Sequence, residues 1–370
     1  MSKTNILYDA QIFDMLAFGG IPRYYAELIK GMQKNNTFSI SIGAKYIHNQ
    51  EVEQLFPFSF TNKLFNSLNL RRFGSFKNRL QQANEKQTIK ELSSLKYDIF
   101  HPAFYNPAYL PHLGKTKLII TIYDMIPELY PHAAGYKKMA ENKAALIRRA
   151  DQIITISVNT KKDLLNFFPE INEKIVTPIL LGCNVERVKS TNVKTNKKEY
   201  FLYVGSREGY KNFEFLIDAL SGILNENILL YTSGSPYTER ENTLMEKAGI
   251  KNFVHRKFVD DKELAKLYAG AKALIFPSEY EGFGLPIIEA FKNNCPVILS
   301  NCSCFPEIAG NAGIYFENKN KESLHVAISK LENKDYVGKI VEDGLKRLTL
   351  CSWENNIFET EKIYTLALKK

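Results

Sequence analysis

Short apolar runs alternate with longer amphipathic segments along most of this chain of 370 residues. Short apolar runs bounded by turn residues are typical of buried strands, and the longer segments have the periodicity of helices. Strands that alternate with helices form parallel sheets, which helices cover on both faces. The chain is long enough for two such sheets, each with its own core. The sequence therefore predicts an α/β fold with two domains.

The predicted elements fall into two series, separated by a polar segment without periodicity, Glu186–Lys198, that is typical of a linker. The first series has strands at Asn5–Tyr8, Phe38–Gly43, Asp98–His101, Lys117–Ile122, Gln152–Ile156 and Lys174–Thr177, and helices at Pro22–Lys34, Tyr136–Arg149 and Asn159–Phe167. The second series has strands at Tyr200–Val204, Ile228–Tyr231, Ala273–Phe276, Pro296–Ser300 and Gly313–Phe316, and helices at Asn212–Leu220, Tyr237–Ala248 and from Asp260 or Asp261 to Ala269. Ligands of parallel sheets bind at the carboxyl ends of the strands, so we expect a site in the cleft between the two domains.

The segment Glu281–Ala290, with the sequence EGFGLPIIEA, follows the predicted strand at Ala273–Phe276. Its two glycines let the backbone approach a ligand closely, and Pro286 suits the start of a helix. The free amides and the positive end of the helix dipole favour phosphate and sugar oxygens. Glu289, about one turn into the helix, can accept hydrogen bonds from vicinal hydroxyls, and Glu281 is placed at the mouth of the same site. Taken alone, Glu281 would be explained as a solvated loop charge and Glu289 as a carboxylate that interacts with the helix dipole.

A second segment, Val204–Asn212 (VGSREGYKN), follows the first strand of the second series and contains two cations. Its glycines indicate an exposed loop, and Asn212 can cap the next helix. The planar guanidinium of Arg207 and the point charge of Lys211 suit the two phosphates of a diphosphate. Cations on surface loops are common, so this hypothesis depends on the glutamates downstream.

The first half offers three further candidate sites. Gly19 and Gly20 lie between the first strand and the first helix, where they form either a tight turn or a close approach to a ligand at a helix N-terminus. His101 and Asp124 each follow an apolar strand and are expected to point into the cleft. A histidine at a strand end is equally compatible with a packing role.

The Glu-x7-Glu pattern within EGFGLPIIEA resembles the signature of the family 4 retaining glycosyltransferases, which have two Rossmann-like domains facing across a cleft, the GT-B arrangement. The resemblance is strongest from Tyr200 to Glu317. It implies an acceptor-binding domain at residues 1–182, a nucleotide-sugar-binding domain at residues 183–351, and a terminal helix at residues 352–370 that packs back toward the first domain. The first half departs from the family pattern at Tyr123, where a histidine is often found.

The resemblance implies a metal-independent, retaining transferase without a cofactor. It would move a sugar, with mannose favoured, from GDP-mannose or a UDP-sugar to a hydroxyl of a glycan or a lipid-linked oligosaccharide in O-antigen or capsule synthesis. The residues assigned to catalysis are Glu281, Arg207, Lys211, Asp124 and His101, and those assigned to donor binding are Gly19, Gly20, Ser206, Phe283, Gly284, Leu285 and Glu289. Two alternatives stay open: a catalytically silent sugar-nucleotide or glycan-binding partner, and a GT-B epimerase or phosphorylase.

The chain has a net charge of +9, and between Phe60 and Lys90 seven cations interleaved with Phe and Leu face only Glu85. Residues 60–90 are explained either by an anionic membrane surface as partner or by a solvated helical face whose apolar side packs in the core. Nucleic-acid binding is not expected, because no known binding module accompanies the patch. No apolar run approaches the roughly 18 residues of a membrane span, and no secretory signal is recognised. We expect a cytoplasmic protein, free or peripheral on the inner face of the membrane, whose five scattered cysteines form neither a disulfide nor a zinc site.

Overall fold

The computed structural model describes residues 3–16, 19–56, 74–183, 185–188, 198–207, 209–257 and 260–369. The chain divides into two compact units. Unit 1 consists of Met1–Leu181 together with Trp353–Lys370, and unit 2 consists of Gly182–Ser352. Among the described helices, none combines the length and the apolar character that a membrane span requires.

The described strands of unit 1 form one parallel sheet in the order β2-β1-β3-β4-β5-β6. They are β1 (Thr4–Asp9), β2 (Phe38–Gly43), β3 (Ile99–Phe100), β4 (Lys117–Ile122), β5 (Gln152–Thr155) and β6 (Val176–Pro178). The described helices of this unit are α1 (Gln11–Met15), α2 (Gly20–Met32), α3 (Gln50–Glu53), α4 (Gly74–Ser93), α5 (Ile126–Leu129), α6 (Tyr136–Arg149), α7 (Val158–Phe167) and the C-terminal α15 (Trp353–Leu368). Successive residues of β4, from Leu118 to Ile120, are fully buried, as expected for a strand that is covered on both faces.

The described strands of unit 2 form a second parallel sheet in the order β12-β11-β10-β7-β8-β9. They are β7 (Glu199–Tyr203), β8 (Ile228–Ser233), β9 (Val254–Lys257), β10 (Ala273–Phe276), β11 (Val297–Ser300) and β12 (Gly313–Phe316). The helices of its described part are α8 (Phe213–Leu220), α9 (Glu239–Lys247), α10 (Asp261–Gly270), α11 (Leu285–Lys292), α12 (Phe305–Ala309), α13 (Lys321–Ser329) and α14 (Lys334–Arg347). Phe201, Ile275 and Ile298 of the sheet pack with Phe213 and Leu216 of α8 in the core of this unit.

The prediction of two α/β domains with parallel sheets is confirmed. β2, β4, α6, β10 and β12 have the predicted bounds, and the other predicted elements differ at their ends by one or two residues. The described elements that were not predicted include the short helices α1, α3 and α5, the long helix α4 and the strand β9. α4 buries the polar Asn84 and Thr88 beside Leu80 and Leu92, and β9 exposes three of its four residues, so neither has a continuous apolar pattern.

Parts of several predictions lie outside the described residues, among them Phe18 beside the two N-terminal glycines, residues 60–73 of the basic stretch, residues 189–197 of the predicted linker and Glu208 of the segment 204–212. In the described part of the basic stretch, α4 exposes Arg79, Lys86 and Lys90. The same helix buries Leu80 and Leu92 on its other side. This arrangement agrees with the explanation of a solvated helical face.

Each sheet contains a topological switch. In unit 1, β1 lies between β2 and β3, and in unit 2, β7 lies between β8 and β10. The connections that follow such neighbouring strands run in opposite directions, so their loops separate and leave a crevice at the carboxyl ends of the strands. Each unit therefore has one position where the fold itself favours ligand binding.

Candidate active site

The topological switch of unit 2 brings together the two loops that carry the predicted cations and glutamates. Residues 204–212 follow β7, and residues 277–284 follow the neighbouring β10. Asn212, in the left-handed region with φ +54°, donates from Nδ2 to the carbonyl oxygen of Pro277 over 3.0 Å. The amide of Glu279 donates to the carbonyl of Tyr210 over 2.8 Å. The two loops are thus held in register by backbone and side-chain hydrogen bonds.

Lys211 and Glu281 form an ion pair where these loops meet. The Lys211 Nζ lies 2.5 Å from Glu281 Oε1, and the Ser278 hydroxyl donates to the same oxygen over 2.8 Å. Only 14% of the lysine side chain and 11% of the glutamate side chain are exposed. Charges that are this well shielded interact more strongly than they would in water. The structure therefore brings together one predicted cation and one predicted carboxylate.

The start of α11 is fixed by its neighbours. Gly284 has φ +93°, and a Cβ there would lie 2.9 Å from Ile287 Cδ1, so this position requires glycine. The Ser303 hydroxyl accepts from the amide of Glu281 and donates to its carbonyl, and the Cys304 thiol donates to the carbonyl of Phe283. The ring of Phe283 is buried, so its backbone is the part of the residue available to a ligand. Leu285 is the first residue of α11, as predicted.

Glu289 lies on the second turn of α11 and is half-buried. Its Oε2 accepts a hydrogen bond of 2.9 Å from the hydroxyl of Tyr268, a fully buried residue of α10. Burial and the neighbouring carboxylate raise the pKa of Tyr268 well above its ordinary value, so the phenol stays a donor. Tyr268 was not predicted as a site residue, because the apolar pattern of α10 marks it only as a core residue.

Arg207 is held by partners within unit 2. Its Nε donates to Glu241 over 2.6 Å, its Nη2 donates to the carbonyls of Ser235 and Pro236, and the guanidinium lies 5.0 Å from the ring centre of Tyr237. Only 4% of the arginine side chain is exposed. Glu241 was not predicted as a partner of Arg207, although Thr238 and Glu241 have the spacing of a capping box, which the structure contains. The neighbouring Ser206 is exposed, and its carbonyl accepts from the hydroxyl of Tyr203.

The candidate residues of unit 1 have very different surroundings. Gly19 (φ +148°) and Gly20 are exposed at the N-terminus of α2. His101 is fully buried: one ring nitrogen lies 2.7 Å from the Tyr364 hydroxyl and the other 2.9 Å from the Thr121 hydroxyl. Burial lowers the pKa of His101 to about 3, so the imidazole is neutral. Of the two roles that the sequence left open for His101, the structure supports packing.

Asp124 is half-buried after β4, and its Oδ1 accepts from the amide of Ile126 at the start of α5. Behind it, the ammonium of Lys143 donates to the Asp124 carbonyl over 2.8 Å and lies 2.7 Å from Glu128. Lys143 is fully buried, and burial raises the pKa of Glu128 despite this cation. Tyr123 points into the core and donates to the carbonyl of Ala103. Lys143 was not predicted as a buried cation, because nothing in the sequence distinguishes it from the exposed lysines of α6.

Comparison with known proteins is most informative for unit 2. Residues 184–344 match the family model for glycosyl transferases group 1. O-antigen chain mannosyltransferase B of Escherichia coli is 28% identical over 292 residues, which cover 74% of this chain and 76% of that protein. O-antigen chain mannosyltransferase RfbU of Salmonella typhimurium is 28% identical over 243 residues, which cover 62% of this chain and 67% of that protein. The matched family region contains both loops of the Lys211–Glu281 pair.

A solved structure supports the fold of the whole chain. Sucrose-phosphate synthase from Thermosynechococcus elongatus superimposes with a TM-score of 0.75, and the alignment covers 99% of both chains at 17% sequence identity. At this identity the similarity establishes the fold alone. It confirms the GT-B fold class that the sequence resemblance implied.

Proposed function

We propose that this protein is a retaining glycosyltransferase that uses a nucleotide diphosphate sugar. The proposal is supported by the match of residues 184–344 to the family model for glycosyl transferases group 1 and by the similarity to an O-antigen mannosyltransferase. The proposed acceptor is a hydroxyl of a glycan or a lipid-linked oligosaccharide in surface polysaccharide synthesis. The observation that carries the proposal is the Lys211–Glu281 pair at the topological switch of unit 2, which sets a cation and a carboxylate beside the start of α11.

The pair explains how a diphosphate sugar is held. In the structure, Glu281 neutralises Lys211. A bound diphosphate would replace Glu281 as the partner of the Lys211 ammonium. The Glu281 carboxylate would then be available to accept hydrogen bonds from the hydroxyls of the donor sugar. The backbone amides of the first turn of α11 would add positive potential near the leaving group. Glu289, oriented by Tyr268, would accept from the ribose hydroxyls.

The proposed reaction breaks the bond between the anomeric carbon and the diphosphate oxygen, which leaves with the electron pair. The acceptor oxygen bonds to the same face of the anomeric carbon, and its proton passes to the leaving phosphate oxygen. Lys211 stabilises the charge that develops on the diphosphate. We propose that the lysine does this without a metal ion and that no covalent sugar–enzyme bond forms. Mannose is the favoured sugar, because both relatives named above are O-antigen mannosyltransferases.

The test is a donor panel of GDP-mannose, UDP-glucose, UDP-N-acetylglucosamine and ADP-glucose with lipid-linked oligosaccharide acceptors, read as nucleotide release and as product mass. Turnover with GDP-mannose that persists in EDTA, with an α-linked product by proton NMR, is expected. Lys211→Ala and Glu281→Gln should each lower kcat/KM by about 100-fold or more, as for the loss of a group that stabilises the transition state. Lys251→Ala, which removes an exposed ion pair of the same unit, is the matched control.

Three outcomes would contradict parts of the proposal. Folded wild-type protein that binds a donor but releases no nucleotide would be a binding partner. A product formed from the donor alone, or only with inorganic phosphate, would indicate an epimerase or a phosphorylase. An inverted anomeric centre would exclude the retaining mechanism.

A further inference from the structure

A polar cavity of about 620 Å³ lies in unit 1. Its walls are α1, α4 and the turn that follows β3. The cavity therefore opens where β1 and β3 end, beside the topological switch of this sheet. Parallel sheets bind ligands at this position, and the volume is in the range of about 300–1,000 Å³ that is typical of small-molecule sites.

The lining of the cavity consists mainly of side-chain amides. Six of them face it: Gln11, Asn78, Gln81, Gln82, Asn84 and Asn106. Asn84 and Asn106 are engaged in hydrogen bonds within the protein. The other four amides can each offer two donors and one acceptor oxygen, which is the combination that neighbouring sugar hydroxyls require. The Oε1 of Gln11 is buried and accepts no hydrogen bond from the described residues. A ligand hydroxyl would satisfy this oxygen.

Two carboxylates of the cavity are held in place by these amides. Asn84 donates to Asp14, and Asn106 donates to Glu85 over 2.7 Å. Asn84 also accepts the amides of Lys45 and Tyr46, so its orientation is fixed by the backbone. A carboxylate that is locked in this way accepts two adjacent hydroxyls without a further loss of side-chain entropy.

The charge of the cavity selects among ligands. Among the described residues of the lining, Asp14 and Glu85 face one lysine, Lys77, so this part of the lining is net negative in a chain whose net charge is +9. A phosphate or a carboxylate would meet two like charges and a single cation. Met15, Leu16 and the ring of Tyr109 supply the apolar contacts that the CH faces of a sugar ring need. These properties favour a neutral, polyhydroxylated ligand.

We propose that this cavity binds a neutral saccharide unit and rejects anionic ones. The identification of that unit as part of the acceptor rests on the proposed function, whereas binding itself does not. The acceptor would then present a neutral sugar to unit 1, and its charged lipid diphosphate would lie elsewhere.

The test is saturation-transfer NMR on the full-length protein with millimolar mannobiose, maltose and lactose as neutral probes and with glucuronic acid and sialyllactose as anionic probes. Gln81→Trp fills the cavity from α4. Lys90→Trp places the same ring on the exposed side of the same helix and is the matched control. We expect a signal from at least one neutral probe that is lost in Gln81→Trp and kept in Lys90→Trp, with no signal from the anionic probes.

The proposal is overturned if no neutral probe binds, if binding persists in Gln81→Trp, or if the anionic probes bind as well as the neutral ones. Nucleotide release from the donor without acceptor is measured in the same three proteins. We expect it to be unchanged, because neither Gln81 nor Lys90 is among the residues assigned to catalysis or to donor binding. Saccharide binding without any donor turnover would contradict the proposed function but would support the saccharide site in unit 1. Donor turnover without saccharide binding would support the proposed function and contradict the saccharide site.

Discussion

Arg207 shows how much a single partner decides the role of a charged residue. A buried charge is costly unless it is paired and hydrogen-bonded, and Glu241, Ser235 and Pro236 meet this requirement. We infer that Arg207 holds the loop of residues 204–212 against the start of α9. The direct contact of Arg207 with the donor diphosphate that the sequence predicted stays a prediction; the third guanidinium nitrogen, Nη1, is buried and has no hydrogen-bond partner among the described residues.

The Arg207–Glu241 pair should therefore contribute to stability. Glu241→Gln leaves a buried guanidinium without its counter-ion and should lower the free energy of unfolding by about 3 kcal/mol in urea denaturation. Burial raises the pKa of Glu241, but the hydrogen bonds from Arg207 and Thr238 outweigh this effect and hold the pKa below 4.5. The stabilisation is thus complete above that pH and is lost as the pH falls below it. Glu214→Gln, which breaks an exposed pair with Arg240, should cost under about 1 kcal/mol; equal losses in both variants would contradict the inference.

Tyr268 should influence donor binding without touching the donor. Tyr268→Phe removes only the hydroxyl that donates to Glu289. A hydrogen bond to a charged group contributes about 1.5–3 kcal/mol, so the KM for the donor should rise about tenfold while kcat changes little. Tyr200→Phe is the control, since its hydroxyl donates to the carbonyl of Leu267, next to Tyr268 in the chain. Steady-state kinetics in which both variants behave alike would show that Tyr268 only supports the core.

At the scale of elements, α15 is joined to the sheet of unit 1 by buried hydrogen bonds. The hydroxyl of Tyr364 lies 2.7 Å from that of Tyr8 in β1 and 2.7 Å from a ring nitrogen of His101 after β3. The other ring nitrogen reaches Thr121 in β4, close to the hydroxyl of Tyr24 in α2. Satisfied polar networks of this kind specify one packing arrangement, because each partner would be costly to leave unpaired.

This network makes unit 1 sensitive to acid. The pKa of His101 is lowered from 6.5 to about 3 by burial, so the unfolded chain binds a proton between these values and the folded chain does not. The contribution of the neutral His101 imidazole to the free energy of unfolding is complete above pH 6.5 and falls by about 1.4 kcal/mol per pH unit below that value. In His101→Gln, the deficit against wild type should therefore shrink between pH 7 and pH 4 in denaturant titrations. Burial raises the pKa of Asp9 to about 7, so Asp9 changes the free energy of unfolding with pH in the opposite direction, but it does so equally in wild type and in His101→Gln. If the free energies of unfolding of the two proteins run parallel between pH 7 and pH 4, the prediction is wrong.

The contact between α2 and α15 depends on a glycine. A Cβ on Gly31 would lie 2.1 Å from Ile357 Cδ1 and 2.8 Å from its Cγ1. Gly31→Ala should cost about 1–3 kcal/mol through overpacking, and Ile357→Ala in the same chain should recover most of that loss. Gly338→Ala in α14 meets no atom within 4 Å and should be neutral or slightly stabilising. Thermal denaturation of the four proteins checks the prediction, which fails if the double variant is no better than Gly31→Ala.

Elements were predictable where apolar spacing alone defines them, as in β4 and β10. α4 was not predictable, because Asn84 and Thr88 occupy its buried face and their partners, such as the Gly43 carbonyl, come from distant parts of the chain. Distant partners also limit what the sequence can predict about the candidate site. The glycines and the proline of the Glu281 loop indicate local geometry, whereas the partners of Arg207 and His101 depend on contacts that only the tertiary structure creates.

At the scale of the whole molecule, the chain forms two cores that do not follow its sequence order. Trp353–Lys370 comes after unit 2 in the sequence but belongs to unit 1. Asn356, Ile363, Tyr364 and Ala367 of α15 are buried there, and Asn356 donates to the carbonyl of Leu180. Unit 1 is therefore complete only when α15 has docked against the residues that precede unit 2.

Deletion of residues 362–370 should consequently destabilise unit 1 and leave unit 2 intact. The deletion removes Ile363 and Tyr364, two large buried side chains that contribute about 1.5–3 kcal/mol each, together with the hydrogen bonds of Tyr364. A loss of 1 kcal/mol shifts the Tm of a domain of this size by roughly 2–4 °C, so a decrease of about 10 °C or more is expected for unit 1. The single tryptophan, Trp353, lies 6.2 Å from Tyr24 between ring centres and remains in the truncated chain, so its fluorescence follows unit 1. Far-ultraviolet circular dichroism should show a second transition, from unit 2, at its original temperature. If both transitions move together, the two cores unfold as one, and the assignment of α15 to unit 1 alone is wrong.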